Sequence, residues 1–283
     1  MTKKLLVVFA HPDDESFGTG GTLALYARRG VDVSLICATR GEVGEMDPEH
    51  LQGFQSIAER RESELRCAAE KLGLKDVFFL NYRDSGMPGS PDNKHKDALV
   101  AQPVEQVAGE IVEYMRRLKP QVVVTFDPIG GYRHPDHIAV HHAVNRAFEL
   151  VNDTSYPCGD LPPYQPQKLY YHFMPHALLR VMVKAMPLFG QDPRRQGKNK
   201  DIDLVSITEV RFPTHARIDY RPVAQIRDEA AFCHVSQGGG ILSSRLARLR
   251  RLVGSFDNFM RAYPEPAPRE KVEKDLFAGV IED

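Results

Sequence analysis

Two short loops hold most of the residues able to do chemistry. Ala10-His11-Pro12-Asp13-Asp14-Glu15 sets one imidazole and three carboxylates within five residues, a charge density that is expensive unless something cationic binds there. His11 and Asp14, three apart across a proline-stiffened turn, can converge on one metal ion, while Asp13 points elsewhere and stays free as a base. The competing reading is a solvated loop with Asp14 or Glu15 at a helix start. The second loop runs from Asp127 to His137 and carries His134, Asp136 and His137 beside the Gly130-Gly131 turn. A third ligand from this loop would complete a two-histidine, one-carboxylate set with positions left for water and substrate, as a catalytic metal site requires.

Each loop follows an apolar run. Residues 5–10 and 122–126 read as strands buried on both faces, and so do 31–37 and 77–80. Helical segments separate them: 22–29 closed by Gly30, 56–72 closed by Gly73, 104–118 stopped by Pro120, and about 137–150. This alternation predicts an α/β fold, a three-layer Rossmann-like and mainly parallel sheet with helices on both faces, whose ligands sit beyond the carboxyl ends of the strands. Residues 1–175 form the Rossmann-like catalytic core, and 176–283 a smaller C-terminal α+β region that completes the pocket within one continuous domain. A further strand is expected at 168–173, an amphipathic helix at 177–186 packed on its own core rather than on a membrane, a mobile surface loop at 191–203, and a helix near 222–235.

Net charge is −1, without a basic run or aromatic-basic interleaving, so no electrostatic footprint points to nucleic acid. Cys37, Cys67, Cys158 and Cys233 are scattered without a Cys-x-x-Cys pair and read as isolated thiols in a reducing compartment. The apolar run before His11 is too short for a signal-peptide core or a membrane span, so a cytoplasmic protein acting on a small molecule is expected, a homo-oligomer being compatible with this.

The motifs resemble a known family. Ala10-His11-Pro12-Asp13-Asp14-Glu15 followed by Gly18, Gly20, Gly21 and Thr22, together with His134-Pro135-Asp136-His137, is similar to the paired signature of the LmbE-like, PIG-L-type N-acetylglucosaminyl deacetylases. Thr39-Arg40-Gly41-Glu42, the Arg61 to Gly73 pattern and His234-x-Ser236-Gln237 extend the likeness over about residues 4–240. Tyr82 to Met87 and the Gly131-Tyr132 stretch are most similar to the branch with the mycothiol-pathway deacetylase and the mycothiol conjugate amidase, except that Arg133 stands where that branch more often has glycine. The resemblance implies one divalent metal, zinc or else ferrous iron, on His11, Asp14 and His137. It implies Asp13 as general base, a protonated His134 supporting the tetrahedral intermediate with Asp136 orienting its ring, and Tyr132 reaching the oxyanion. It places Arg61, Asp84 and Glu42 at the substrate. The implied reaction is hydrolysis of the acetamide of an N-acetylglucosamine-type conjugate to acetate and free amino sugar; the alternative within the family is an amidase acting on a thiol–sugar conjugate.

Other readings compete. Gly18-x-Gly20-Gly21 after a strand suggests a nucleotide-binding Rossmann protein, but the G-x-G-x-x-G order is absent and three preceding carboxylates would repel a pyrophosphate, so tight helix packing accounts for the glycines better. His141, four residues after His137, could pair with it on one helix face. A mononuclear iron oxygenase shares the ligand types but not the spacing. For His234 two readings stand, a late-loop residue near the pocket or part of a helix cap.

Overall fold

The computed structural model describes residues 2–174, 177–196, 202–239 and 254–281. Seven strands, β1 (Lys4–Phe9), β2 (Asp32–Thr39), β3 (Asp76–Tyr82), β4 (Val122–Phe126), β5 (Lys168–Phe173), β6 (Ala216–Asp219) and β7 (Phe256–Tyr263), form one sheet in the order β3-β2-β1-β4-β5-β7-β6. β1 to β5 are parallel, and β7 runs antiparallel between β5 and β6. The helices are α1 (Asp14–Gly18), α2 (Gly20–Arg28), α3 (Ile57–Leu72), α4 (Val104–Leu118), the kinked turn α5 (Gly130–Arg133), α6 (Pro135–Leu150), α7 (Ala177–Ala185), α8 (Leu204–Glu209) and α9 (Ala224–Cys233).

The unbroken apolar runs of β1 and β4 are buried along nearly their whole length, because α2, α3 and α9 pack together while α4 packs on α6. Local signals set the helix ends. Ser56 caps α3 by accepting from the Glu59 amide, Gly73 closes it at φ 75°, and Lys119 ends α4 in the left-handed region just before Pro120. After β3 the order crosses to the other side of β1, so β1 and β4 flank the switch point of the sheet. Both chemistry-bearing loops leave from these two strands, where open α/β sheets hold their ligands.

The C-terminal region departs from expectation in detail. Helix α9 falls within 222–235 as read from sequence, but β6 and β7 extend the same sheet. Asp257 of β7 accepts hydrogen bonds from the amide and hydroxyl of Thr22 on α2. A Cβ on Gly21 would lie 2.1 Å from the Tyr220 ring, so this glycine serves close packing rather than a phosphate. Helix α7 is not the core helix expected: Val183 is buried, but Val181 and Met182, with Leu188 and Phe189 just beyond, stay exposed. Of the 191–203 loop, residues 197–201 lie outside the described residues, and Gln196 and Ile202 exchange backbone hydrogen bonds. Among the described residues no helix is long and apolar enough to cross a membrane.

The reading of four isolated thiols is corrected. Cys67 and Cys233, 166 residues apart, form a disulfide that ties α3 to α9, while Cys37 and Cys158 are free. Sequence spacing reports local pairs only, and this pair is made by helix packing. The inference of a reducing compartment loses its basis with it.

Candidate metal centre and active site

β1 stops at Phe9 and the chain turns at once into α1, with Pro12 fixing one torsion. The turn puts Asp13 at φ 121°, ψ −29°, a conformation costing an L-residue on the order of 1–3 kcal/mol. Neighbouring carboxylates therefore diverge: Asp14 faces His11 and His137, whereas Asp13 meets the Arg61 guanidinium at 3.1 Å.

On the other loop, buried Asp127 accepts from the amides of Ile129 and Gly131. Gly130 has φ 63°, and a Cβ there would stand 2.8 Å from that of His137. The loop sets His137 in the first turn of α6, stacked on Phe126 with ring centroids 3.9 Å apart. Its Nδ1 donates to the Gly130 carbonyl at 3.2 Å, which leaves the Nε2 lone pair free. His11 is held the opposite way round. Its Nε2 faces Asp136 at 3.1 Å and Asp84 at 3.5 Å, so Nδ1 carries the free lone pair.

Those lone pairs face each other and Asp14. His11 Nδ1 lies 3.2 Å from His137 Nε2 and 3.6 Å from Asp14 Oδ2, and His137 Nε2 lies 3.3 Å from the other Asp14 oxygen, Oδ1. An ion bound tetrahedrally at about 2.1 Å spaces its ligands roughly 3.4 Å apart, so the donor set fits a divalent metal. His134 also brings a ring nitrogen within 4.8 Å of His11 and His137, but its Nδ1 already accepts from the Asp136 amide. His141 is removed from the reckoning, because its Nδ1 bonds the Phe126 carbonyl and its Nε2 meets Asn145.

Electrostatics agree with a site made for a cation. Burial alone would lower the His11 pKa, yet Asp84, Asp136 and Asp14 together raise it well above the ordinary imidazole value. Burial raises Asp13 to about 6 against the opposing pull of Arg61. It pushes His137 down to about 4 and His134 to about 2, the latter helped by the charges of His11 and His137.

Two expected roles change. Burial favours the neutral form of His134, and its Nδ1 accepts a backbone hydrogen bond, which leaves Nε2–H as the donor of this pocket-lining ring. Asp136 does not orient it through its carboxylate, which instead accepts from His11 Nε2 and the Ser85 amide, the other oxygen having no partner among the described residues. The hydrogen bond between Asp136 and His134 comes from the Asp136 backbone amide, because both residues sit at the helix start where orphan amides need acceptors.

A cavity of about 630 Å³ opens over these groups, lined by His11, Asp13, Arg61, Asp84, Tyr132 and His134. Glu42 does not line it; its carboxylate accepts from the Asp84 amide and so fixes the opposite wall. Arg61 reaches the cavity, with its two terminal nitrogens bonded to Asp13 and to the carbonyls of Pro12 and Gly41 and its Nε without a partner among the described residues. A Cβ on Gly41 would strike this guanidinium at 2.0 Å. Arg133 stands at φ 69°, a backbone region that favours glycine, and its side chain bonds Ser206 of α8. Sequence reasoning missed Val43, Gly44, Glu45, Ser90 and Ile202 in the lining, and placed Gln237 in a motif without a role. These come from loops with no periodic or ligand-like signal. His234 stands at the cap position after α9 and bonds there through its backbone, while its side chain makes no cap bond and does not line the pocket but is wholly buried against Glu15.

Fold and site define a class: a doubly wound α/β protein whose switch point carries a buried histidine–carboxylate donor cluster beside a second carboxylate, Asp13, that lines the cavity. The chain belongs to the PIG-L family, whose model, described as GlcNAc-PI de-N-acetylase, matches residues 6–148. A 1D-myo-inositol 2-acetamido-2-deoxy-alpha-D-glucopyranoside deacetylase of Kineococcus radiotolerans is 42% identical over 67% of this chain, which spans 57% of that relative's length. A protein of the same description from Catenulispora acidiphila is 34% identical over 98% of this chain and 97% of its own. Among solved structures, the N,N'-diacetylchitobiose deacetylase of Pyrococcus horikoshii is similar with a TM-score of 0.60 at 21% identity, covering 92% of this chain and 83% of that one. The 4-carboxy-2-hydroxymuconate hydratase of Pseudomonas putida scores 0.61 at 19%, covering 95% and 100%. These two show the fold alone, which serves a deacetylase and a hydratase alike.

Proposed function

We propose that the protein is a metal-dependent N-deacetylase that hydrolyses the acetamide of an N-acetylglucosamine-type conjugate with a small polar aglycone. The observation that carries this is the set of His11, Asp14 and His137 donor atoms spaced 3.2 to 3.6 Å apart, with Asp13 next to them on the floor of the cavity. Zinc, or ferrous iron, held there would polarise the acetamide carbonyl and make water acidic enough to attack near neutral pH.

The chain's own residues supply the remainder. Asp13 accepts the proton of the attacking water; the water oxygen bonds to the carbonyl carbon, the C–N bond breaks, and Asp13 returns the proton to the departing nitrogen. An unprotonated amine is a poor leaving group, so the base must act second as an acid. His134 Nε2–H donates to the carbonyl oxygen as charge develops on it, and Tyr132, at the mouth beside the His134 ring, closes the same side. Arg61 keeps the Asp13 carboxylate aimed. Asp84 is held by Glu42 on the wall where sugar hydroxyls would meet it. The cavity volume suits a glycoside of disaccharide size, and the relatives' printed substrate, an N-acetylglucosaminyl inositol, has those dimensions. Ile202 and Gln237 bring the C-terminal region to the cavity, in keeping with one continuous domain.

The test is release of free amine from N-acetylglucosaminides differing in aglycone, before and after chelation and with zinc, ferrous iron or cobalt restored. Close to one bound metal per chain and activity that vanishes on chelation and returns with metal are expected. Full turnover by metal-free protein would falsify the reading.

A further inference from the structure

We propose that His234 and Glu15 form a buried positioning pair that holds the Asp13 backbone in its working conformation; the inference rests on Asp13 being the base. Glu15 and His234 are both fully buried, and neither lines the cavity. His234 Nε2 donates to Glu15 Oε1 at 2.7 Å, Ser16 donates its hydroxyl to the same oxygen, and Glu15 Oε2 accepts the Asp13 amide at 3.0 Å. The chain of contacts thus ends on the residue whose φ of 121° is the least natural of the non-glycine values in the site. A conformation of this kind persists only where its surroundings over-determine it.

Both halves of the clamp on Asp13 are mounted on the same pair of helices. Arg61, which holds the Asp13 carboxylate and the Pro12 carbonyl, projects from α3. His234 follows the last residue of α9, Cys233, which is bonded to Cys67 of α3, and Ser236 donates twice to Glu64 of α3. The His234 carbonyl accepts from the amides of Gln237 and Gly239, which fixes its backbone. One rigid unit therefore sets the carboxylate through Arg61 and the peptide plane through Glu15. A buried ion pair is a weak source of stability, so stability alone does not account for three donors converging on a carboxylate at this place.

The pair never touches substrate, and its signature is a loss confined to turnover. Without the His234 donor, Glu15 turns away from the Asp13 amide, the peptide relaxes, and the carboxylate leaves the line of attack. The tests are His234→Leu and His234→Gln in the zinc-loaded full chain, assayed on methyl N-acetylglucosaminide, with bound zinc and melting temperature measured beside kcat and KM. The leucine variant is expected to lose roughly 10- to 10²-fold in kcat, the usual effect of a small misplacement, with KM and zinc content unchanged. Glutamine, whose amide nitrogen can donate from the Nε2 position, is expected to restore most of it. Wild-type turnover in the leucine variant, or equal losses in both, overturns the proposal. If the leucine variant does not fold, Glu15→Gln, which keeps the volume but not both acceptors, is expected to show the same kcat-only loss, and its retention of full turnover is equally fatal. Should the wild-type chain itself prove inert on this glycoside and on those with polar aglycones alike, the proposed function fails separately. The positioning claim is then read from a crystal structure of the variant, where an Asp13 φ still near its wild-type value overturns it.

Discussion

At the residue scale, burial acts on Asp13 and His134 in opposite directions and so assigns them different duties. Asp13 is raised to about 6 by burial, and a general base works only when deprotonated. kcat/KM should therefore fall as pH drops through about 6, and a bound cation, which favours the carboxylate, moves that limb lower and never higher. Asp13→Asn should keep its metal yet lose roughly 10²- to 10⁴-fold in turnover; loss of metal from this variant would exchange the roles of Asp13 and Asp14. His134 is held neutral, with its remaining N–H as donor. His134→Ala should cost roughly 10²- to 10³-fold in kcat with unchanged metal content. Because the working form is uncharged, the alkaline limb of the pH profile should survive in that variant, and a vanished limb would restore the protonated role that the motif suggests.

At the element scale, the contacts that seat the C-terminal helix are the ones to perturb. The Cys67–Cys233 bond closes a long loop between α3 and α9, and such crosslinks are typically worth about 2–4 kcal/mol. Replacing both cysteines by serine should lower stability by that order in urea titrations, with a further fall in kcat because α9 carries His234. On α2, Gly21→Ala would push a methyl into the Tyr220 ring. Overpacking of this kind costs about 1–3 kcal/mol, and an unchanged melting temperature would show that the ring can move aside. Neither contact has a local signature. The helices themselves were readable, since Ser56, Gly73 and Pro120 mark their ends, but the partner of each face was not.

At the scale of the whole molecule, β7 is tied to α2 through Asp257, whose carboxyl is raised to about 6 by burial, with the Thr22 hydrogen bonds opposing. A carboxyl with a folded pKa above its unfolded value favours the folded state when protonated. Its contribution is full below about pH 4 and is lost as pH rises through about 6. Asp257→Asn keeps an acceptor for Thr22 and removes the titration. Relative to wild type, the variant should gain on the order of 2–3 kcal/mol between pH 4 and pH 8, read from urea midpoints at both. A constant difference across that range would show that Asp257 does not titrate on folding.

The sequence by itself determined β1 to β5, the longer helices between them and the two loops, though not β6 and β7, because burial on both faces writes unbroken apolar runs and because metal ligands and bases are few residue types set at strand ends. His11, Asp13, Asp14 and His137 were legible on that ground, and the family signature supplied their grouping. Tertiary structure alone decided which nitrogen of each histidine is free, that Asp136 serves His11 rather than His134, that Glu42 braces a wall, and that Cys67 meets Cys233. It also decided that His234, more than two hundred residues from the first loop, reaches Glu15. Hydrogen-bond direction and helix-to-helix contact depend on how distant segments pack in three dimensions, and no spacing along the chain encodes that.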